Sequence, residues 1–553
     1  MKILLLVTTF NSLSQMLYTY LCDRDDRVDV VYATSQTRDA EIEAFDPEVI
    51  LCPFLQHYVP PHIYERYPTY IFHPGPKGDR GAYSLEKALE HKRWGATILR
   101  ANEIWDGGDI YAHGSFEILR QASKSSLYRQ EVQMAFYELF ERFFANLSDD
   151  AWEAQEITPL NQKPKVRIDW MQDDTETIVQ KIARLDGTPG VEDKILGVVC
   201  TLYGAHVETR IGTQTQADVP PKTILAKRDG AICLKTVDGA VWITHLKETH
   251  RFKLPATYVL KSRLQGVRED RLPLIFDRSY ETFYEVSCDI EGEVGYLYFD
   301  FHNGAFRAEQ CIRLKYAIEY LKTQVKVLVL MGGADFFSNG INLNILEDSQ
   351  KSGEDGWATI NAINDLVASV LYAEEVVTVA SVHRNAGAGG VFLATACDYV
   401  VASDTTVFNP HYKTIGLSGS EYHTYTFPKR VGEKEARRLL EACLPISAAY
   451  ANKIGLVDAV FSHREYDKVL RAYVDELIED ASVLDDFLWE KQAYLEVHKE
   501  EIEQCKTDEI SVMHPEFWDE ESPFHALRQA FVYKQCPLQT PERLKYKREN
   551  IHA

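Results

Sequence analysis

Short runs of apolar residues alternate with amphipathic stretches over the first 150 residues of the chain. Residues 3–7, 28–32, 49–52 and 70–72 are predicted to form strands, and helical patterns lie between them. This alternation predicts βαβ units around a parallel sheet, and the uniformly apolar strands indicate that both faces of the sheet are covered. A long helical pattern at about 125–146 closes the unit. Ligands of doubly wound sheets bind beyond the carboxyl ends of the strands, so functional residues should follow the strand ends.

The rest of the pattern predicts two further units. A polar segment at residues 161–165 predicts a linker into a smaller unit, which has one helical pattern at 174–185 and short strands such as 196–202. These elements favour a small β-barrel. Charges and turn formers accumulate around residues 264–273, and strands and helices then alternate again from a strand at 295–301. The last part of the chain is rich in Glu, aromatic residues and helix formers, which predicts helices that pack on a neighbour.

The composition excludes several classes of function. The chain has 553 residues, with 83 Asp and Glu against 60 Lys and Arg, so its formal net charge is −23. This charge opposes binding to nucleic acid, whose phosphates require clustered basic residues. The 10 Cys include no C-x-x-C pair and signal neither a metal site nor a disulfide framework. No apolar run approaches the ~20 residues of a membrane-spanning helix, and no signal peptide is indicated, so we expect a cytoplasmic protein without a membrane partner.

Two polar motifs follow predicted strands of the first unit. His73-Pro-Gly75 comes directly after the fourth strand, and Asp106-Gly-Gly108 lies in a later glycine-rich turn. A His at the end of a strand and an Asp in a neighbouring turn can form a pair that transfers protons. Each motif alone is also an ordinary turn sequence, so the residues by themselves leave both interpretations open.

At these motifs the chain resembles the N10-formyltetrahydrofolate-dependent formyltransferases and hydrolases, over about residues 1–150 and more loosely to 260. The family has Asn-x-His-Pro after one strand and Leu-Asp-Gly-Gly-x-Ile after another. Here the first motif starts at Ile71 and contains His73, and the second contains Asp106. The resemblance implies that His73 and Asp106 act on the formyl group and its tetrahedral intermediate. The second unit resembles the β-barrel that follows the catalytic domain in methionyl-tRNA formyltransferases.

The same resemblance implies a cofactor-binding segment and contains one departure. Leu51, Pro53 and Phe54 match the loop that borders the pteridine in this family, so we expect them to bind the folate. The family's Asn, whose amide helps to hold the oxyanion, is replaced by Ile71. Losing such a donor typically costs about 3 kcal/mol of transition-state stabilisation. Either Asn102 substitutes for it, or a stronger nucleophile such as a thiolate makes the amide less necessary.

Two glycine-rich turns occur in the third unit. Residues 327–343 and 378–391 each run from a buried strand through a glycine-containing loop into a helix. Glycines let a backbone approach a ligand closely, and the first N–H groups of a helix are open to an anion. The two turns can therefore supply two N–H donors to one oxygen, although such turns also serve close helix packing.

Together with three later segments, at 397–403, 408–417 and 446–457, these turns resemble the enoyl-CoA hydratase/isomerase (crotonase) superfamily. The resemblance covers about residues 285–480 and implies the ββα spiral of that superfamily.

The crotonase resemblance implies roles for individual residues. The N–H groups of Ile341 and Gly389 are expected to form the oxyanion hole that holds the thioester carbonyl of a coenzyme A (CoA) substrate. Ala305, Arg307 and Asn342 are expected to bind CoA, with Arg307 paired with a phosphate. The alternative for Arg307 is that it is a solvated helix residue.

The carboxylates that hydratases use are missing from this chain. Their two Glu positions fall on Phe392 and Tyr412, so the pair that activates water is absent and hydratase activity is not expected. Tyr412 and Glu421 remain nearby as groups that can move a proton. The alternatives are that Tyr412 only packs and that Glu421 only stabilises the first turn of a helix.

These observations predict an α/β protein of three domains. They are a Rossmann-like formyltransferase domain at residues 1–155, a small β-barrel domain at 160–265, and a crotonase-like CoA-binding domain with a C-terminal helical extension at 275–553.

Over nearly all of its length the chain resembles the HypX/HoxX family of hydrogenase maturation proteins. That resemblance implies that the formyl group of N10-formyltetrahydrofolate passes to the thiol of CoA, leaving tetrahydrofolate. Formyl-CoA is then decarbonylated to CO for the iron of [NiFe]-hydrogenase, with hydrogenase maturation factors as partners. A pantetheine arm must then reach both sites, which predicts an internal channel. The alternatives are a formyltetrahydrofolate hydrolase, a non-catalytic scaffold for folate and CoA, and a formyltransferase acting on a sugar nucleotide or tRNA.

Overall fold

A computed structural model describes residues 1–119, 122–211 and 219–546 of the chain. The chain forms two compact units. The first contains Met1–Leu17, Asp26–Tyr284 and Cys536–Pro541, and the second contains Tyr18–Asp25, Glu285–Gln535 and the segment from Glu542 onward. Among the described helices, none has both the length and the apolar character that crossing a membrane requires.

The first unit begins with a six-stranded sheet. Its strands are β1 Lys2–Val7, β2 Arg27–Tyr32, β3 Val49–Cys52, β4 Thr69–His73, β5 Arg93–Arg100 and β6 Ile110–Glu117. The helices are α1 Ser12–Asp23, α2 Arg38–Phe45, α3 Pro61–Tyr64, α4 Ser84–Ala88, α5 Lys124–Leu127 and α6 Gln133–Ser148. The strand order is β2-β1-β3-β4-β5-β6, in which β1 to β4 are parallel and the last two strands are antiparallel. This sheet confirms the predicted α/β fold.

Two features around this sheet differ from what the sequence pattern predicts. The predicted helix at 125–146 is interrupted, because a π-helical turn at Tyr128–Val132 separates α5 from α6. The segment Cys536–Pro541 lies beside β2, where Tyr32 N donates to Thr540 Oγ1 at 3.1 Å. The short segment Cys536–Pro541 therefore contributes to the first unit, a contact between distant residues that no local pattern indicates.

A second sheet in the same unit is antiparallel. Its strands are β7 Val191–Ile195, β8 Val198–Glu208, β9 Ile224–Arg228, β10 Ala231–Lys235, β11 Ala240–Glu248 and β12 Leu254–Pro255, with helices α7 Thr175–Arg184 and α8 Ala256–Leu260. The order is β7-β8-β11-β10-β9, and β12 pairs with β11. The predicted strand at 196–202 starts in a turn instead, because Leu196 and Gly197 have left-handed backbones with φ of 46° and 86°.

The second unit contains a six-stranded sheet and two smaller ones. Its strands are β13 Val286–Glu291, β14 Val294–Phe299, β15 Ala305–Phe306, β16 Val327–Gly332, β17 Gly340–Ile341, β18 Val377–Val382, β19 Ala386–Gly387, β20 Tyr399–Ser403, β21 Val407–Asn409, β22 Ile446–Ser447 and β23 Ala459–Phe461. The main order is β13-β14-β16-β18-β20-β23, and β15 pairs with β17. Strands β14, β16, β18, β20 and β23 are parallel, as their continuous apolar runs predict.

Helices surround this sheet and form the C-terminal part of the unit. They are α9 Ala308–Leu321, α10 Leu343–Asp348, α11 Ser352–Leu371, α12 Gly389–Thr395, α13 His423–Val431, α14 Glu433–Ala442, α15 Ala448–Lys453, α16 Tyr466–Glu479, α17 Ala481–Trp518 and α18 Pro523–Val532. The long helix α17 packs against α11 and α13 of its own unit. The neighbour on which the predicted C-terminal helices pack is therefore the crotonase-like core itself.

Candidate functional site

His73 ends strand β4, where it lies buried between two carboxylates. Its Nε2 atom is 2.9 Å from Asp79 Oδ2, and its Nδ1 atom is 3.6 Å from Asp106 Oδ2. His73 is 4% exposed and Asp79 is 6% exposed, so water screens their contact weakly. The structure thus brings the predicted residues His73 and Asp106 together and adds Asp79. This arrangement can orient an imidazole and move a proton at its ring nitrogens.

Asp79 is a site residue that the motifs did not indicate. Lys87 Nζ donates to its Oδ1 at 3.1 Å, and Asn161 Nδ2, from the predicted linker, donates to the same atom at 3.0 Å. Burial raises the pKa of Asp79, but hydrogen bonds from His73, Ser84 and Asn161 outweigh burial and hold that pKa well below its ordinary value. Asp79 therefore stays ionised and orients the imidazole. The available signal was an Asp in a Pro-Lys-Gly-Asp turn six residues after the motif His.

Glycine shapes the loop that carries Asp106. Asp106 has a left-handed backbone with φ of 49°, and its Oδ2 accepts a hydrogen bond from Gly81 N at 2.9 Å. A Cβ atom on Gly108 would collide with Arg100 O, so the close approach of the two backbones requires glycine there. Gln155 Nε2 donates to Asp106 O at 3.1 Å and to Gly108 O at 2.7 Å. The Asp106 carboxylate is therefore held in place near the imidazole.

The predicted folate-binding segment lies at the carboxyl end of β3. Leu51 and Pro53 are buried, and Phe54 packs edge-on against Tyr128 with ring centroids 6.0 Å apart. Phe54 O accepts a hydrogen bond from Thr8 N at 2.8 Å, so the loops after two neighbouring strands meet. Doubly wound sheets bind ligands at this position, and pteridine binding by these residues stays a prediction.

Ile71 and Asn102 belong to neighbouring strands of the first sheet, Ile71 within β4 and Asn102 just after β5. Ile71 is in β4, aligned with Cys52 of β3 and Leu99 of β5. Asn102 follows β5, and its Oδ1 accepts a hydrogen bond from Ile104 N at 2.9 Å. The carbonyl end of this amide thus stabilises a local turn, and the role of Asn102 as an oxyanion donor stays a prediction.

The two glycine-rich turns meet in the second unit. Gly340 has φ of 73°, and a Cβ atom on it would lie 3.1 Å from Gly389 N, at the start of α12. Asn342 N donates to Phe306 O at 2.9 Å, so the N–H of Ile341, one residue earlier in the extended chain, faces away from β15. The two turns that carry the predicted N–H donors are therefore adjacent, and the oxyanion hole stays a prediction.

Glu421 faces this pair of turns. A Cβ atom on Gly389 would collide with Glu421 Oε1. The other oxygen, Oε2, accepts hydrogen bonds from Tyr412 OH at 2.6 Å, Ser420 N at 3.1 Å and Ser420 Oγ at 2.8 Å. Within residues 1–119, 122–211 and 219–546, all side-chain hydrogen bonds of Glu421 go to Oε2. Oε1 therefore remains beside Gly389 as an acceptor.

The electrostatic environment favours proton uptake by Glu421. Burial raises the pKa of Glu421 above its ordinary value, although hydrogen bonds from Tyr412 and Ser420 oppose that shift. Burial and the negative charge of Glu421 raise the pKa of Tyr412 well above its ordinary value. Tyr412 is thus a neutral phenol that donates to the carboxylate, and Glu421 is a carboxylate with increased proton affinity.

Aromatic rings occupy the two positions at which the crotonase resemblance predicts the hydratase Glu residues to fall. Phe392 is fully buried and stacks on Tyr412, with ring centroids 5.1 Å apart and planes inclined by 22°. His423 and Phe427 lie 5.3 Å and 5.4 Å from the same Phe392 ring. Tyr412 and His423 also contribute to the wall of a cavity of about 270 Å³. Among the described residues that surround these rings, Glu421 places a carboxylate oxygen beside Gly389.

Arg307 is engaged by the protein itself. Its side chain is 7% exposed, and Nη2 donates to Glu285 Oε1 at 3.2 Å. Gln310 and Arg313 also donate to Glu285, so this carboxylate is the centre of a buried network. A CoA phosphate would have to compete with Glu285 for the guanidinium, and phosphate binding by Arg307 stays a prediction.

Asn342 and Ala305 lie next to the predicted oxyanion turn. Asn342 Oδ1 accepts hydrogen bonds from Asn344 N at 3.1 Å and Ile345 N at 3.3 Å, which caps the start of α10. Ala305 in β15 is aligned with Gly340 in β17. The Asn342 carbonyl therefore has a structural use, and CoA binding by these two residues stays a prediction.

Three residues around Glu421 were not indicated by any motif. Asn364 Oδ1 accepts a hydrogen bond from Glu421 N at 2.8 Å. Glu509 Oε2 accepts from Tyr422 N at 3.0 Å, and Glu509 Oε1 lies 3.1 Å from His423 Nδ1. Burial alone would lower the pKa of His423, but the hydrogen bond and charge of Glu509 raise it above its ordinary value. The sequence held no signal for Asn364 or Glu509, which lie 57 and 87 residues from their partners.

Two families match separate parts of the chain. The family described as "Formyl transferase, C-terminal domain" matches residues 161–264, which contain the antiparallel sheet β7 to β12. The family described as "Enoyl-CoA hydratase/isomerase" matches residues 294–532, which contain Glu421 and helix α17.

Among the described residues, no group of three or more His, Cys, Asp or Glu is arranged to hold a metal ion.

Individual relatives extend over the whole chain. "Hydrogenase maturation factor HoxX" of Bradyrhizobium diazoefficiens is 33% identical and covers 98% of this chain and 96% of that protein. The crystal structure of HypX from Aquifex aeolicus in complex with tetrahydrofolic acid has a TM-score of 0.94 and 37% identity, covering 100% of both chains. "4-chlorobenzoyl coenzyme A dehalogenase-1" of an Arthrobacter species is 26% identical and covers 35% of this chain and 71% of that protein. Because the similarity to HoxX includes both candidate sites and nearly the full length of both proteins, this chain belongs to the HypX/HoxX family of hydrogenase maturation factors.

Proposed function

We propose that this protein makes carbon monoxide for the maturation of [NiFe]-hydrogenase in two steps. In the first step, the formyl group passes from N10-formyltetrahydrofolate to the thiol of CoA. A carbon–sulfur bond forms, the carbon–N10 bond breaks, and the thiol proton ends on N10. In the second step, formyl-CoA is decarbonylated to CO and CoA. The CO then becomes a ligand of the hydrogenase iron, and hydrogenase maturation factors are the partners that would receive it.

His73 serves the first step. Asp79 holds Nε2–H and keeps the imidazole oriented, so Nδ1 of His73 accepts the thiol proton and returns it to N10 as the carbon–nitrogen bond breaks. Asp106, 3.6 Å from Nδ1, stabilises the imidazolium that forms. A thiolate is a strong nucleophile, which fits a site with Ile71 in place of the family's oxyanion amide. The tetrahydrofolic acid bound to HypX from Aquifex aeolicus supports folate as the formyl carrier.

Glu421 serves the second step. Its Oε1 takes the formyl proton, the carbon–hydrogen electron pair becomes the lone pair on the carbon of CO, and the carbon–sulfur pair leaves with sulfur. The proton then passes from Glu421 to sulfur, so the step consumes no water. The N–H groups of Ile341 and Gly389 polarise the thioester carbonyl. The similarity to a dehalogenase named for a coenzyme A thioester supports this class of substrate.

The observation that carries the proposal is the position of Glu421 Oε1 beside Gly389. A crotonase-like site that has lost both hydratase carboxylates, to Phe392 and Tyr412, cannot add water in the hydratase manner. It retains one buried carboxylate with raised pKa next to the predicted oxyanion turn. That arrangement suits removal of a proton from a small thioester.

The direct test is to supply the purified protein with N10-formyltetrahydrofolate, with and without CoA, and to measure CO by the haemoglobin spectral shift and formate by an enzymatic assay. We expect CO only when CoA is present. The variant His73→Ala should lose CO release from the folate but retain it from added formyl-CoA, whereas Tyr412→Phe should be impaired with either substrate. Formate without CO would show a formyltetrahydrofolate hydrolase and overturn the proposal.

A further inference from the structure

The turn that carries Glu421 has an unusual backbone. Glu421 and Tyr422 are consecutive residues with left-handed conformations, at φ of 67° and 57°. Residues other than Gly, Asn and Asp rarely adopt this backbone conformation, and a bulky residue such as Tyr is especially uncommon there. Such strain persists only where the surrounding structure holds it, and it is common at functional sites. Neighbouring groups must therefore hold this turn in place.

Two side chains from separate helices bind the N–H groups of the turn. Asn364 on α11 accepts from Glu421 N at 2.8 Å. Glu509 on α17 accepts from Tyr422 N at 3.0 Å through Oε2, and from Thr424 N and Thr424 Oγ1 through Oε1, both at 2.7 Å. Both side chains are buried, at 0% and 5% exposure. The Glu509 carboxylate therefore binds the N–H of Tyr422, just before helix α13, and the N–H of Thr424, in the first turn of that helix.

The environment of Asn364 indicates that its hydrogen bond to the turn has a functional purpose. Its Nδ2 group is fully buried and has no acceptor among the described residues. Leaving a buried donor unpaired is unfavourable, so a position selected for stability alone would favour an apolar side chain or a paired one. The carbonyl of Asn364 is the useful part of the side chain, because it accepts the N–H of Glu421.

We infer that Glu509 and Asn364 are positioning residues that hold the strained turn and so direct Glu421 Oε1 toward Gly389. This inference deepens the proposed function and rests on it, because the aim of Glu421 matters for the removal of the formyl proton. Helix α17 then completes the active site instead of only covering the core. Helix α17 contains Glu503 as well, which accepts from Tyr372 OH at 2.8 Å and from the Tyr422 hydroxyl at 3.5 Å, so it touches a side chain of the turn but binds none of its N–H groups. Glu503 therefore provides a matched control on the same helix.

The test compares full-length Glu509→Gln, Asn364→Ala and Glu503→Gln proteins with formyl-CoA as the substrate. Moving a reacting group by about 1 Å can cost about 100-fold in rate, so we expect kcat for CO release to fall about 100-fold in the first variant, with KM within twofold. Asn364→Ala should act in the same direction, and Glu503→Gln should keep kcat within twofold. Retention of kcat in Glu509→Gln, or an equal loss in Glu503→Gln, would overturn the inference.

A second readout separates this inference from the proposed function. Hydrogen–deuterium exchange is measured on the peptide that spans residues 418–427 in each protein. Glu509→Gln should exchange faster in this peptide than the native protein, and Glu503→Gln should not. If the native protein released no CO from formyl-CoA, the proposed function would fail, yet the exchange data would still show whether Glu509 holds the turn. Unchanged exchange in Glu509→Gln would reject the positioning role in either case.

Discussion

Two buried carboxylates, one in each candidate site, have opposite electrostatic character. Asp79 accepts hydrogen bonds from the Lys87 ammonium and from His73, and its pKa lies well below its ordinary value despite burial. Glu421 is buried too, but its described donors are Tyr412 and Ser420, and burial raises its pKa. Burial alone thus does not decide what a carboxylate does. Hydrogen bonds from His73, Ser84 and Asn161 outweigh burial and keep Asp79 ionised to orient the imidazole, whereas those from Tyr412 and Ser420 do not outweigh burial and leave Glu421 able to accept a proton.

The two sites also differ in how the chain assembles them. His73, Asp79 and Asp106 all lie in loops or strand ends of one sheet, within a short stretch of sequence. Glu421 instead depends on Asn364 and Glu509, which come from helices far away in the chain. The candidate reacting groups of the first site therefore come from one short stretch, with Asn161 and Gln155 from farther along the chain supporting them, whereas the second site depends on tertiary packing for the aim of its carboxylate.

The largest effect is expected from Glu421→Gln, which removes the proposed base without changing its shape. CO release from formyl-CoA should fall about 10³-fold, because general base catalysis typically contributes 10²–10⁴-fold. Formyl transfer from folate to CoA should continue, so formyl-CoA should accumulate and can be measured by chromatography.

In the native protein, CO release should rise with pH through a value above the ordinary pKa of Glu, because the ionised form of Glu421 is the base.

Glu516→Gln is the matched control for that variant. Glu516 on α17 also accepts hydrogen bonds from neutral donors, Ser418 N at 3.0 Å and Ser418 Oγ at 3.2 Å. Burial raises the pKa of Glu516 as well, but this carboxylate binds a different loop residue. CO release should stay within about threefold in this variant. Equal losses in the two variants would mean that any buried Glu here supports the fold and that Glu421 has no special role.

The next effect in size concerns the contact between His73 and Asp79. A Cβ atom on Gly75 would lie 2.5 Å from both His73 Nε2 and Asp79 Oδ2, so Gly75→Ala must push the two side chains apart. We expect formyl transfer from N10-formyltetrahydrofolate to CoA to slow by about 30-fold, because the imidazole loses its orientation. CO release from added formyl-CoA should not change, and the two rates can be measured on the same preparation.

Gly114→Ala controls for the introduction of a methyl group into the same sheet. A Cβ atom on Gly114 in β6 would make ordinary contacts with Leu139, the nearest atom being 3.5 Å away. This variant should transfer formyl groups at close to the native rate. If Gly75→Ala did the same, the His73–Asp79 contact would not be needed for transfer, and the two sites would differ less than their geometry suggests.

The sequence predicted the elements that local patterns determine. The apolar run at residues 49–52 became β3 with the same bounds, and the fold class was confirmed. The strand predicted at 196–202 was displaced because Leu196 adopts a left-handed backbone, which a Leu rarely does and no pattern indicates. The break in the helix at 125–146 arises at a π-helical turn, whose sequence contains neither Gly nor Pro to mark a break.

The candidate site residues also fall into two groups, those that a local motif indicates and those that depend on contacts between distant parts of the chain. His73, Asp106 and Gly389 lie where strands end in recognisable turns, so their motifs could indicate them as candidates. Asp79 was within reach of sequence reasoning, because it follows the motif His in the same loop. Glu509 was not, since its importance comes from a packed helix that meets the turn 87 residues earlier. Long-range partners of this kind become visible only once the helices are in place.

The smallest effect on activity is expected from Arg307→Met, which asks whether this buried cation binds CoA or supports the fold. Because Arg307 donates to Glu285, we expect the variant to lose about 1.5–3 kcal/mol of unfolding free energy in urea. The contact with Glu285 favours the alternative in which Arg307 supports the fold, for which the dissociation constant for CoA, measured by calorimetry, should stay within about twofold. Arg313→Met is the control, because Arg313 binds the same carboxylate from a more exposed position and should cost less stability. A tenfold loss of CoA affinity in Arg307→Met alone would instead assign the guanidinium to a phosphate. In that case Glu285 would orient Arg307 toward the phosphate, as Asp79 orients the imidazole of His73.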